Sequence, residues 1–161
     1  MIPTRTSRWL GLFGWMAAAF ATGAVGAIAS VDAAAFYAQL SRPSWAPPAW
    51  VFGPVWTLLY ALMGVAAWLV WRSSERSNVA LALFVAQLPV NALWSWLFFA
   101  WHRGAWAMAD VTLLLALIVA TTASFWRVQR YAAALMLPYL AWVAFATALT
   151  WSIWRRNPGL L

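Results

Sequence analysis

Apolar residues run through this chain in five long stretches, and the few charged side chains and the one histidine fall almost entirely between them. None lies between Arg8 and Asp32, between Arg42 and Arg72, or between Arg76 and His102. From His102 to Arg127 only Arg103 and Asp110 interrupt, and the interval from Arg130 to Arg155 carries no charge. Each stretch supplies ~20 residues or more, enough at ~1.5 Å per residue to cross a hydrocarbon layer of ~30 Å. The spans are predicted at residues 9–30, 51–71, 78–100, 105–126 and 132–154. Only helices and closed barrels satisfy their backbone groups in lipid, and continuous rather than alternating apolar runs select helices. The pattern therefore predicts an all-α integral membrane bundle of five transmembrane helices, one domain over residues 1–161, with a single long connector at residues 31–50. The first run could also be a cleaved leader, since Arg5 and Arg8 precede it and small residues close it. Its apolar length exceeds the roughly 7–15 residues of a leader core, so it is read as a helix.

Short loops leave no soluble domain for separate chemistry, so function must lie between helices or in the connector. Cysteine is absent, which excludes a disulfide framework, a catalytic thiol and an iron–sulfur cluster. One histidine, His102, and three scattered acids do not make a metal site, and no cofactor is expected; His102 reads as a solvated loop residue. The net charge of +7 would suggest nucleic acid in a soluble protein. Here the arginines stand at span ends and face headgroups instead, so the partner is a lipid bilayer and not nucleic acid. Arg5, Arg8, Arg72, Arg76, Arg127 and Arg130 fall on one side, and Arg42, Arg103, Arg155 and Arg156 on the other, which favours a cytoplasmic amino terminus. Every basic residue is arginine, a bias of GC-rich bacterial genomes, and helical spans point to a bacterial cell membrane.

The tryptophans are distributed unevenly. Of 15, those at 45, 50, 56, 94, 96, 101, 106, 142, 151 and 154 lie on the connector side, against 9, 15, 68, 71 and 126 on the other. An interfacial belt accounts for residues at span ends, because indole prefers the headgroup region. It accounts poorly for Trp56, Trp94 and Trp142, whose indole N–H groups need partners that lipid cannot supply. In the third span Gln87, Asn91, Trp94 and Phe98 share one face, and Pro89 between the amides removes a backbone hydrogen bond. Intramembrane amides face a bundle interior, where these two either line a pocket or simply bond neighbouring helices. In the fifth span Pro138, Tyr139, Trp142, Ala146 and Leu149 or Thr150 repeat the pattern, with a small residue between large ones. The first span carries two rows of small residues, Ala19-Gly23-Ala27 and Thr22-Gly26-Ser30, which predict close helix packing or dimerisation. Asp110 reads as a first-turn carboxylate favoured by the helix dipole, or as a pocket group. Prolines at 43, 47 and 48 stiffen the connector, which suits a lid.

Three segments carry a specific resemblance: Arg42-Pro43-Ser44-Trp45-Ala46-Pro47-Pro48-Ala49-Trp50 continuing through Gly53-Pro54-Val55-Trp56 to Tyr60, Gln87-Leu88-Pro89-Val90-Asn91-Ala92-Leu93-Trp94, and Pro138-Tyr139-Leu140-Ala141-Trp142-Val143-Ala144-Phe145-Ala146. Together they resemble the tryptophan-rich sensory protein and translocator protein family, also called the peripheral-type benzodiazepine receptor family. The resemblance implies a five-helix bundle, usually a homodimer, that binds protoporphyrin IX and related tetrapyrroles. It would place Tyr37, Trp45 and Trp50 of the lid in the pocket, with Trp56, Tyr60, Asn91, Trp94, Trp142, Ala146 and Leu149 as walls and Gln87 and Trp106 nearby. The sterol-recognition pattern of the family is broken, because Leu149-Thr150-Trp151 leads to Arg155 without the expected tyrosine; cholesterol is not predicted. A flat macrocycle would stack on indoles, and its propionates would reach for Arg42. The function expected is porphyrin transport or sensing. The alternative is oxidative degradation of porphyrin, for which Trp56 and Trp142 would be the redox-active residues, and a bland third reading is a structural partner whose aromatic half packs on itself.

Overall fold

The computed structural model describes residues 5–161. Every regular element among them is helical: α1 (Arg5–Ala29), α2 (Ala33–Gln39), α3 (Phe52–Trp71), α4 (Asn78–Ser95), α5 (Gly104–Val128) and α6 (Arg130–Arg156). All but α2 belong to stretches long and apolar enough to span a bilayer. The chain is an integral, multi-pass membrane protein.

Neighbour relations close the spans into a ring: α1 packs on α3, α3 on α6, α6 on α5, α5 on α4 and α4 back on α1. Glycine sets the closest approaches. A Cβ on Gly64 would stand 2.6 Å from Met16 Sδ and 3.0 Å from its Cα, so α1 and α3 touch backbone to side chain there. Of the first-span rows, Gly23 packs as closely against the Tyr60 ring of α3, at 2.6 Å from an added Cβ, and Gly26 against Ser95 of α4, at 3.2 Å.

The half of the ring away from the connector is solid. Met63, Ala66, Val70, Phe84, Ile118, Phe125 and Met136 are fully buried there, with Phe84 stacked on Phe125 at 6.0 Å and met edge-on by Trp15 at 5.8 Å. At that end Trp68 Nε1 donates to the Arg8 carbonyl at 2.9 Å, fastening α3 to the start of α1.

Two local features depart from the expected pattern. The connector is not continuous loop: residues 33–39 form α2, whose alanine-rich sequence and lack of proline permit a helix before Pro43. The end of α4 widens into a π-helical turn, Trp96–Ala100, where Trp101 N–H donates to Trp96 O at 2.8 Å. His102 follows with φ of 52°, and its ring stacks on Phe36 of α2 at 4.0 Å, so this exposed histidine is also a support for the connector. Both α4 and α6 stay helical through Pro89 and Pro138.

The connector is held at two points. Tyr37 Oη donates to the Pro47 carbonyl at 2.9 Å, folding the proline-rich half over α2. Asn157, just beyond α6, accepts from Ser41 N–H at 2.8 Å and donates to the carbonyls of Ser41 (3.0 Å) and Ile153 (2.7 Å). Asn157→Ala removes all three bonds and leaves the buried Ile153 carbonyl and the part-buried Ser41 backbone unpaired, a loss of about 2 kcal/mol. Amide hydrogen exchange across residues 40–48 is expected to accelerate in that variant; unchanged protection would show that the prolines alone hold the segment.

Candidate functional site

Between α1, α3, α4 and the underside of α2 lies a cavity of about 620 Å³. Its aromatic surfaces are Phe20, Tyr37, Phe52, Trp56, Tyr60, Trp94 and Phe99. The opposite wall is the small-residue side of α1, where Gly23, Ala24, Gly26, Ala27 and Ser30 leave the space a larger side chain would fill. Exposed Ala24, Ala27, Gly53 and Thr57 mark its open side, between α1 and α3. No carboxylate, arginine or histidine lines it; its polar side chains are hydroxyl-bearing residues, the Asn91 amide and the indoles.

Local sequence explains the placement. Positions 53, 56, 57 and 60 recur at helical spacing on α3, so Gly53, Trp56, Thr57 and Tyr60 share a face. Trp56 stacks on Tyr60 (5.4 Å, 27°) and meets Tyr139 edge-on at 6.2 Å. Tyr60 in turn lies flat against α1, where a Cβ on Gly23 would come within 2.6 Å of its ring. Trp94 stacks on Phe98 at 5.1 Å and meets Phe99 edge-on at 5.6 Å.

A hydrogen-bonded chain forms the floor. Tyr60 Oη donates to Asn91 Oδ1 at 2.8 Å, Asn91 Nδ2 donates to Tyr139 Oη at 2.7 Å, and Tyr139 Oη donates to Gln87 Oε1 at 2.6 Å. Both amides therefore bond neighbouring helices, and Asn91 also borders the cavity. Gln87 does not reach it; the side chain is fully buried, with Nε2 unpaired. Asp110 is buried in the second turn of α5, with Oδ2 unpaired, so the first-turn dipole account does not apply.

The sequence-derived residues thus divide into groups. Tyr37, Trp56, Tyr60, Asn91 and Trp94 meet at the cavity. Trp142 and Ala146 stand behind it, bordering a slot of about 20 Å³ that shares Phe52, Trp56, Asn91 and Trp94 with the larger space. Leu149 packs instead with Phe36, Tyr37 and Phe98 beneath the connector. Trp45 is 49% exposed with its ring against Phe145, while Trp50 and Trp106 are 75% and 67% exposed and occupy the outer surface. Arg42 lies across the connector, its guanidinium 4.7 Å from the Tyr37 ring centre, and does not border the cavity. Sequence reasoning missed the wall supplied by α1, the hub role of Tyr139 and the Asn157 clamp. Tyr139 was within reach, being three positions before Trp142 and so on its face.

Five spans ringing an aromatic cavity, roofed by a clamped connector, define a polytopic helical membrane protein with an intramembrane aromatic cavity open on one side. The sequence model of the TspO/MBR family matches residues 15–155. Identity with the translocator protein of Homo sapiens is 43% over 128 residues, covering 77% of this chain and 76% of that protein. With protein CrtK of Rhodobacter capsulatus it is 41% over 140 residues, 85% of this chain and 86% of that one. The tryptophan-rich sensory protein of Cereibacter sphaeroides is 38% identical over 149 residues, 92% of each chain. This chain belongs to the TspO/MBR family. Bacterial relatives that match over the larger share of its length support a bacterial membrane as its location.

Proposed function

We propose that this protein binds tetrapyrroles of the protoporphyrin IX type in the α1–α3–α4 cavity and acts in porphyrin transport or sensing. The observation that carries the reading is the cavity itself: about 620 Å³, within the roughly 300–1,000 Å³ of small-molecule sites, walled by indole, phenol and phenyl rings and free of carboxylates, arginines and histidines. Such a wall suits a flat, apolar macrocycle, whose burial at ~25 cal/mol per Å² outweighs any single hydrogen bond. Propionates would lie towards the open side, because the interior offers them no cation. The names of the relatives, translocator and sensory protein, are compatible with carriage or detection.

Oxidative degradation of the ligand is the second reading. It is favoured by Trp56, which borders the cavity and stacks on Tyr60 at the head of the chain running to Tyr139. A protoporphyrin IX titration of the purified protein separates the two. Saturable quenching of tryptophan fluorescence, with the porphyrin spectrum preserved in light and dark, is the expected result. Steady loss of the porphyrin absorption with new products by mass would establish degradation, and absence of saturable quenching would sink both.

A further inference from the structure

The slot behind the aromatic wall has its own chemistry. It lies between α4, α5 and α6, bordered by Asn91, Trp94, Val111, Trp142 and Ala146. Trp94 Nε1 and Trp142 Nε1 are both fully buried, and neither has a hydrogen-bond partner among the described residues. An indole N–H left unpaired in apolar surroundings costs about 1–3 kcal/mol, and two such donors on residues that line one slot call for a shared acceptor. No side chain supplies it. Asn91 Oδ1 is engaged by Tyr60 through one lone pair, which leaves a second available.

Volume decides what the acceptor is. A water needs ~10–15 Å³ of such space and two to four polar partners. At about 20 Å³ the slot is large enough to hold a water. We infer that it is an internal hydration site: one water accepts from the indole N–H groups of Trp94 and Trp142 and donates to Asn91 Oδ1. That water joins Trp142, which has no direct border on the cavity, to the amide holding Tyr60 at the cavity floor. Trp142 then acts as a positioning residue for the α4 wall. The site requires nothing of the ligand, so it stands or falls separately from tetrapyrrole binding.

The test uses full-length protein carrying ¹⁵N-labelled tryptophan in detergent or nanodiscs, with Trp94→Phe and Trp142→Phe assigning the two indole resonances. Both protons are expected to show direct dipolar cross-peaks to a long-lived water, and the Trp94 cross-peak to vanish in Trp142→Phe. Cross-peaks at one proton only, or at neither, would overturn the proposal, as would shifts showing the N–H groups directed at the Phe52 or Phe145 rings. A crystal structure of the unsubstituted protein that resolves other internal waters decides the matter should either variant fail to fold. A density peak within hydrogen-bond reach of both indole nitrogens supports the site, and a dry slot refutes it.

Discussion

Trp56→Ala is expected to weaken protoporphyrin IX binding by roughly 50-fold while the protein stays folded. The indole forms the inner aromatic wall of the cavity, stacked on Tyr60. Truncation removes on the order of 100 Å² of contact with a macrocycle, worth ~2.5 kcal/mol at ~25 cal/mol per Å². The controls come from the same residue type: Trp50 and Trp106, at 75% and 67% exposure, face outward. Alanine at either should change affinity by no more than about twofold. Fluorescence titration of the three variants reads this directly. Equal losses at all three positions would remove the cavity from consideration as the binding site.

Asn91→Leu is expected to cost about 3 kcal/mol of stability, lowering the midpoint of thermal unfolding in detergent by on the order of 10 °C. Among the described residues, the amide is the one group that bonds both Tyr60 of α3 and Tyr139 of α6. Leucine matches its volume but leaves two buried phenol oxygens short of a partner, and the cost lies in those orphans more than in the lost bonds. Tyr60→Phe removes a single bond and leaves one orphan, Asn91 Oδ1, so it should cost about half as much. A midpoint shift for Asn91→Leu no larger than that of Tyr60→Phe would show that the chain is not coupled. Interhelical hydrogen bonds in membranes average only ~0.6 kcal/mol, so such a result would place this network among ordinary ones.

The sequence makes the spans legible because charge is so costly in lipid that three acids and ten arginines punctuate the whole chain. It also reveals the inward face of α4, since Gln87 and Asn91 have no reason to face acyl chains. Depth along a helix does not say which way a ring points, however. Trp142 shares the depth of the pocket residues but lies behind Trp56 and Trp94. Trp50 and Trp106 share their residue type but serve the interface. The wall on α1 was hidden for a different reason. A glycine–alanine row fits a touching helix and an open space equally well, and here it does both, with Gly23 against Tyr60 and Ala27 beside the cavity. Helix α2 escaped because seven residues give too weak a periodicity to separate from loop.

The filled half of the ring has a bearing on traffic. Below the Tyr60–Asn91–Tyr139 floor, Met63, Phe84, Ile118 and Phe125 leave no continuation of the cavity. The chamber is a cul-de-sac reaching only part-way along the helices, so a ligand bound there, as proposed, would depart by the side it entered. Vectorial passage across both leaflets through a single copy would demand that the floor come apart, whereas loading and discharge within one leaflet ask nothing of it.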